Sequence, residues 1–565
     1  MTSRRELLLV LLVCLAGYGT GLGDVGFYTR GEPREGLVVR EMLRSGSWAV
    51  PRRPEGEVAR KPPLYYWLAA PIVAALPDRQ ELALRLPSAI LATAAVVGTW
   101  AGARMAAGAA AGLPAALVLA TTFEWTRAAT SARVDMSLAA PLALVLIAWL
   151  ALLTGGSRRW LVVAAAGAGL ATLAKGPVGL ALPVLAAAAY AGWERDRTVL
   201  RRLGVVPIVA VAGLAAGAWY LLAFAEQGRA FLDVVLKENV VRFIDTDDAR
   251  TGHAHGMLYL PIVGLVGLLP WVPLLPLGVP ERRASPAVKL AAVWALVVVV
   301  FFSLANAKRS VYLLPAFPAF AIAVGAGVGA GGRPLARRLA AAYLPAFVVV
   351  AAIAIAFAAG LDPGIAFTRW LKPDDAHGAS VVAAAAARNA SIFAALGVAT
   401  LAGALLVERA RRNAAWSELV LAVAMLMCAW TAAFDAVIHP AIARTRSLRD
   451  FMTTVDRLVP RDATLATSFP VDPGLRFHAP RPLERFTSAA GAPRWALLWQ
   501  DEWSRLRDAH GEPLAVLAVS EARQSRRGSL ALVLTPPGTL QRTAPAPARP
   551  KPPGLHATPL SPPHP

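Results

Sequence analysis

The chain has 565 residues, 56% of them hydrophobic and only 16% charged, yet it carries a net charge of +21. A soluble domain holds about 25% charged residues, so an ordinary soluble globule of this size is excluded. In a soluble chain such basicity would point to nucleic acid. Here the basic residues sit in short loops between apolar runs, where they orient a membrane protein, and no aromatic-rich basic segment argues for nucleic acid. The two cysteines, Cys14 and Cys428, both lie in apolar runs, so neither a disulfide framework nor a Cys/His cluster is indicated.

In chain order, "RRELLLVLLVCLAG" reads as an uncleaved first span rather than a signal peptide, because "GYGTGLG" is a weak cleavage site. Bilayer-length apolar runs then recur. About thirteen spans are expected, near 7–23, 84–102, 112–126, 136–154, 160–173, 177–192, 204–223, 257–277, 289–305, 311–328, 339–360, 390–407 and 416–438. The fifth and sixth are short and lean on each other around Lys175.

One set of loops is short and basic, from Arg4–Arg5 through Arg104, Arg158–Arg159, Arg195, Arg282 and Arg333 to Arg409. It marks the cytoplasmic side and puts the N-terminus there. The other set, including 24–83, 127–135, 174–177, 224–256 and everything after 438, falls outside. Residues 1–440 are thus expected as an all-α polytopic membrane domain with a long outer loop at 24–83. Residues 441–542 mix helix-like "SLRDFMTTVDRLV" with strand-like "TLATS", "WALLWQ", "LAVLAVS" and "LALVLT", the pattern of a small periplasmic α/β domain. The proline-rich segment 543–565 is expected as a disordered tail.

Cations on the outer side are the informative residues, since the positive-inside bias should deplete them there. Arg34, Arg60, Lys61, Arg133, Lys175, Arg242, Lys308 and Arg309 all fall in outer loops or at outer span ends. A lone cation at such a place is a snorkelling surface residue. Several converging cations make an anion site, and phosphate is the natural anion at a membrane surface.

The acids nearest these span ends are Glu32, Glu35 and Asp135. Glu32 precedes Pro33 and the following "REGLVVREML", an expected membrane-surface helix with an apolar face of Leu37, Val38, Met42 and Leu43, at whose start Glu32 would favour the helix dipole. Asp135 precedes an apolar run and in its bland reading caps that helix. His253 and His255 form a His-x-His pair, an incomplete site for a divalent metal. No other cofactor is suggested.

The stretch "GEPREGLVVREMLRSGSWAVPRRPEGEVARKPPLYYWLAAP" resembles the first outer loop of a known family. These are the polyprenyl-phosphate-sugar-dependent glycosyltransferases of the GT-C class. The resemblance is to the bacterial group containing the aminoarabinose transferase of lipid A, related to protein O-mannosyltransferases (glycosyltransferase family 39/83-like). "REM" is Arg40–Met42, "GSW" is Gly46–Trp48 and "KPPLYYW" is Lys61–Trp67. Further matches follow in order: "LRLPSA" at Leu84–Ala89, "R-x-D" at Arg133–Asp135, "AKGP" at Ala174–Pro177, "EN-x-x-RF" at Glu238–Phe243 and "YLLPAFP" at Tyr312–Pro318. Together they cover about residues 20–330. The family's usual Asp-Glu pair is Gly31–Glu32 here, and the acid often found before "KPPL" is Arg60.

The resemblance implies a GT-C fold and a sugar donor on a polyprenyl phosphate, with transfer at the outer leaflet to a lipid, glycan or protein acceptor. Arg34, Lys61, Lys175, Arg242, Lys308 and Arg309 would then stabilise the lipid phosphate. Glu32 is the first candidate base, with Glu35 in reserve; Asp135 is the second, or orients Arg34 or Lys61. Tyr65, Trp67 and Tyr312 are expected to contact substrate. Two other readings stay open: a transporter or flippase of lipid-linked sugars, and an inactive relative that only binds polyprenyl phosphate.

Overall fold

The structure is a computed structural model that describes residues 3–29, 31–54, 56, 58–236, 255–279, 285–331, 333–361, 373–479, 481–485, 495–504, 515–524 and 527–534. It divides into two compact units, Met1–Ser447 and Leu448–Pro565. The expected tail 543–565 lies outside the described residues.

The first unit is helical. It opens with α1 (Ser3–Tyr18), α2 (Gly31–Ser45), α3 (Leu64–Ala75), α4 (Gln80–Ala107), α5 (Ala109–Ala120) and α6 (Phe123–Ala129). There follow α7 (Val134–Leu153), α8 (Arg159–Lys175), α9 (Val178–Glu194), α10 (Thr198–Arg202), α11 (Val205–Gln227) and α12 (Arg229–Leu236).

Among the described residues, eight helices are long and apolar enough to cross a membrane. A ninth is formed if Tyr259–Gly267 and Val272–Gly278, bent by 102° at their junction, count as one span. This is fewer than the expected thirteen. The runs at 7–23, 112–126, 160–173 and 177–192 form helices of 16, 12, 17 and 17 residues, at or below the short end of what crosses a bilayer. Hydropathy detects apolar runs but cannot see where a helix breaks.

The centre of the unit is α7. Of its apolar window, 89% of the residues are buried, and being apolar on nearly all sides it can bury every face. Trp149 on α7 donates to the Leu203 carbonyl at 2.9 Å and meets Trp294 edge-on at 5.7 Å. The α8–α9 turn needs two glycines. Gly176 has φ +77°, which a side chain would strain. At Gly179 a Cβ would run into the Ala171 backbone, so α9 lies directly on α8. This turn presents Lys175 at the α8 terminus.

Helix α2 forms where expected, with a different buried face. Glu32, Pro33, Glu35, Gly36, Val38, Val39 and Met42 are buried, while Leu37 and Leu43 are half-buried. The helix packs into protein through a face that includes two acids, so it is more than a raft on lipid.

In the second unit, the helix Arg449–Leu458 lies in the expected helical segment. The strands are β1 (Leu465–Thr467), β2 (Leu483–Arg485), β3 (Trp495–Trp499), β4 (Ala515–Gln524) and β5 (Gly528–Leu534). Their order is β2-β1-β3-β5-β4, with β1 parallel to β2 and β3, and β5 antiparallel to β3 and β4. Only β2 has no counterpart in the strand-like runs; its "LER" is short and half-exposed.

Candidate active site

One end of the first unit gathers the polar residues. Helix α2 supplies Arg34 and Glu35, α3 supplies Tyr66, and the loop between them supplies Arg53, Arg60 and Lys61. Opposite stand Arg133 and Asp135 at the start of α7, Lys175 at the end of α8, and Arg309 and Tyr312. All line one cavity, with seven cationic side chains against two carboxylates.

The carboxylates organise the cations. Lys175 Nζ donates to Asp135 Oδ1 at 2.6 Å, and Arg133 Nε to Asp135 Oδ2 at 3.1 Å. Asp135 makes no capping hydrogen bond; the N-cap position of α7 is Arg133. The capping reading therefore gives way to an ion-pair one. Lys175 Nζ also lies 4.8 Å from the centre of the Tyr312 ring, a cation–π contact. Arg34 Nη2 donates to Glu35 Oε1 at 2.7 Å, and the Tyr66 hydroxyl donates to Glu35 Oε2 at 2.7 Å.

Glu32 is placed differently. It is 4% exposed and does not line the cavity. Its Oε1 accepts from Arg85 Nε at 2.8 Å and from the Ala132 amide at 3.1 Å. Its Oε2 accepts from Arg85 Nη2 at 3.3 Å and from the Thr29 hydroxyl at 3.3 Å. Burial alone would raise this carboxyl. The Arg85 charge and these hydrogen bonds outweigh burial and hold it below the ordinary carboxylate value. Arg85, itself 2% exposed, also donates to the carbonyls of Leu22 and Val25 at 3.0 and 2.8 Å. The pair clamps the chain between α1 and α2 onto α4, so Glu32, expected as first base, stands outside the cavity with donors around both its oxygens and acts as a brace in the fold.

The other expected residues divide. Arg34, Glu35, Lys61, Asp135, Lys175, Arg309 and Tyr312 come together in the cavity. Lys308, Tyr65 and Trp67 do not line it. Lys308 donates to the His255 carbonyl at 2.8 Å. The Tyr65 hydroxyl donates to Leu84 O and the Trp67 indole to Trp48 O, each at 2.7 Å. Arg242 and His253 lie outside the described residues. The His255 ring stacks on Tyr259 at 3.8 Å, and among the described residues no three His, Cys, Asp or Glu side chains cluster to hold a metal.

Sequence reasoning gave no role to Arg53, Tyr66 or Arg85. For Arg85 a signal existed. An arginine inside the apolar run "ALRLPSA" must find an acid or several carbonyls, and it found both.

Residues 60–225 match the model of the dolichyl-phosphate-mannose-protein mannosyltransferase family. The chain is 28% identical over 385 residues to the undecaprenyl phosphate-alpha-4-amino-4-deoxy-L-arabinose arabinosyl transferase of Pectobacterium carotovorum, covering 66% of this chain and 67% of that one. It is also 28% identical to the enzyme of the same name from Pseudomonas aeruginosa, over 57% of this chain and 60% of that one. The matches thus span about three-fifths to two-thirds of those relatives' length. In structure, the chain superposes on crystalline ArnT from Cupriavidus metallidurans bound to undecaprenyl phosphate with a TM-score of 0.74. The superposition covers 94% of this chain and 98% of that one at 21% identity.

The chain thus shares the fold of that ArnT. The apo form of the same ArnT superposes equally well, with a TM-score of 0.74 at 20% identity. The chain is an integral membrane protein, and its cation-lined cavity stands at helix ends.

Proposed function

We propose that the chain transfers a sugar from a polyprenyl-phosphate donor to a lipid, glycan or protein acceptor at the outer face of the bacterial inner membrane. The observation that carries this reading is the cavity itself: seven cations and two carboxylates at one end of a GT-C bundle. Its N-terminus is then cytoplasmic and its C-terminal unit periplasmic, in keeping with the basic loops at the opposite ends of the spans. The curated relatives carry undecaprenyl phosphate in their names, and undecaprenyl phosphate is the donor lipid we propose here.

The chemistry follows from charge. Attack by an acceptor oxygen on the anomeric carbon forms a new C–O bond and breaks the bond from that carbon to the phosphate oxygen. The phosphodiester carries one negative charge, and the departing phosphomonoester carries a second as it forms. Cations that face this developing charge stabilise the transition state more than the bound donor. Lys61, Lys175, Arg133 and Arg309 take this role, with Asp135 holding Lys175 and Arg133 in place. Glu35 takes the proton where the acceptor is a hydroxyl; an ionised phosphate acceptor has no proton to lose. Such a displacement inverts the anomeric centre.

The test is to incubate the purified chain in lipid nanodiscs with labelled polyprenyl-phosphate sugars and an outer-envelope lipid extract. A new glycosylated product, identified by mass spectrometry, is expected. In sealed vesicles, movement of donor between leaflets without product would mean a transporter, and binding alone an inactive relative.

A further inference from the structure

The loop 46–63 carries three of the cavity's seven cations, Arg53, Arg60 and Lys61. It has little regular structure of its own: one isolated bridge joins Arg52 to Val58. Such a loop cannot by itself hold cations at a fixed distance from Lys175 on α8. Yet an anion site needs that distance fixed, because a misplacement of about 1 Å costs large factors in a preorganised site.

The loop is held from two sides, by Trp67 of α3, whose indole donates to the Trp48 carbonyl at 2.7 Å, and by the end of α11, which takes no part in the cavity. The Trp219 indole N–H donates to the Ala49 carbonyl at 2.8 Å. Trp219 meets Phe231 of α12 edge-on at 5.6 Å, and Tyr220 at 5.0 Å. These rings enclose Val50 and Val58 from the loop, together with Leu173, two residues before Lys175. One apolar cluster therefore touches the loop, α11, α12 and the end of α8. Beside it, Arg52 Nη2 pairs with Glu226 Oε2 at 2.9 Å. The rest of α11 packs along α8 by one face, with Ile208 and Ala212 buried, so the loop and α8 are held by the same helix.

We propose that Trp219 is a positioning residue, supported by Phe231 and the Arg52–Glu226 pair. It brackets the loop against α8 and thereby sets the separation of Lys61 and Arg53 from Lys175, on which affinity for the lipid phosphate depends. This rests on the donor reading above, so the test has one readout that does not.

The experiment uses the full chain in nanodiscs, with undecaprenyl phosphate as the probe. Trp219→Ala is expected to weaken its binding about tenfold, and Trp219→Phe, which keeps a ring but loses the N–H, by about threefold. Transfer at saturating donor is expected to fall as well, by about tenfold, because Lys61 also faces the charge that develops on the departing phosphate. Arg52→Glu and Glu226→Arg each weaken binding, and the double exchange restores it, an outcome that general loss of packing would not give.

The second readout is the distance between spin labels at Pro54→Cys and Leu170→Cys, both exposed positions, in a Cys14→Ala/Cys428→Ala background. Its distribution should broaden in Trp219→Ala. If Trp219→Ala does not fold, Trp219→Phe and the charge exchange carry the test. An unchanged affinity with an unchanged distribution overturns the bracket. A broadened distribution in a chain whose parent binds no undecaprenyl phosphate leaves the bracket standing and overturns the donor reading instead.

Discussion

Lys175 Nζ lies 2.6 Å from Asp135 Oδ1, joining the last residue of α8 to the first turn of α7. The contact unites two helix ends at the wall of the cavity. Asp135 is 5% exposed, and removing one member of a buried pair leaves the other charge uncompensated.

Asp135→Asn should therefore damage transfer more than donor binding. Lys175 and Arg133 keep their charges but lose the acceptor that aims them. We expect transfer to fall about 100-fold from misplacement, with undecaprenyl phosphate bound within about threefold of the parent. Single-turnover transfer and equilibrium binding check this. Parental turnover in a correctly inserted Asp135→Asn chain would remove Asp135 from the site.

Glu32→Gln should act on stability first. Breaking its buried pair with Arg85 costs about 3–5 kcal/mol, and thermal unfolding in nanodiscs should show the loss. The pH dependence has a definite sign. The folded state holds the Glu32 carboxyl below its ordinary value of 4.5, so the pair's stabilisation is full above about pH 4.5 and is lost as pH falls through the lower folded value. The parent should lose melting temperature on acidification through this window, and Glu32→Gln should lose less. Equal acid sensitivity in both would contradict the brace.

For Glu35 the expected effect is on chemistry. Glu35→Gln keeps an oxygen for Tyr66 or Arg34 but cannot accept a proton, so transfer to a hydroxyl acceptor should drop about 100-fold or more. Transfer to a phosphate acceptor should drop far less. Comparing the two acceptor classes in one preparation also identifies the natural class.

Gly31 sits against Arg133. A Cβ at this position would lie 3.0 Å from Arg133 Nη1 and 3.3 Å from its Cζ. Gly31→Ala should shift only the end of a flexible side chain and alter donor affinity by no more than about twofold. Gly31→Asp should capture the guanidinium and compete with Asp135 for it. Donor affinity should then weaken about tenfold, a loss of one charge-assisted contact, readable by titration with undecaprenyl phosphate.

Much of the fold and of the site is legible in the sequence. Stretches such as "KPPLYYW" and "AKGP" place Lys61 and Lys175 at apolar boundaries, and hydrophobic burial obliges such boundaries to become helix ends. The strand-like runs of the C-terminal unit are readable for the same reason, since β3 and β5 are apolar enough to be buried on both faces. The number of spans is less so, because α5, α8 and α9 are apolar along their length but only 12, 17 and 17 residues long, at or below the short end of bilayer length.

What the sequence determined alone was composition-driven: a polytopic helical membrane protein, with cations and acids collected on the side that the positive-inside bias should empty. Which acid meets which cation was decided only by the tertiary structure. Glu32 and Glu35 are three residues apart on one helix, and local rules treat them alike. The fold puts Arg85, the Ala132 amide and Thr29 around the first, and Arg34, Tyr66 and the cavity beside the second. A carboxylate's role depends on the donors that surround it, and in this chain a decisive donor to each, Arg85 and Tyr66, comes from a different helix.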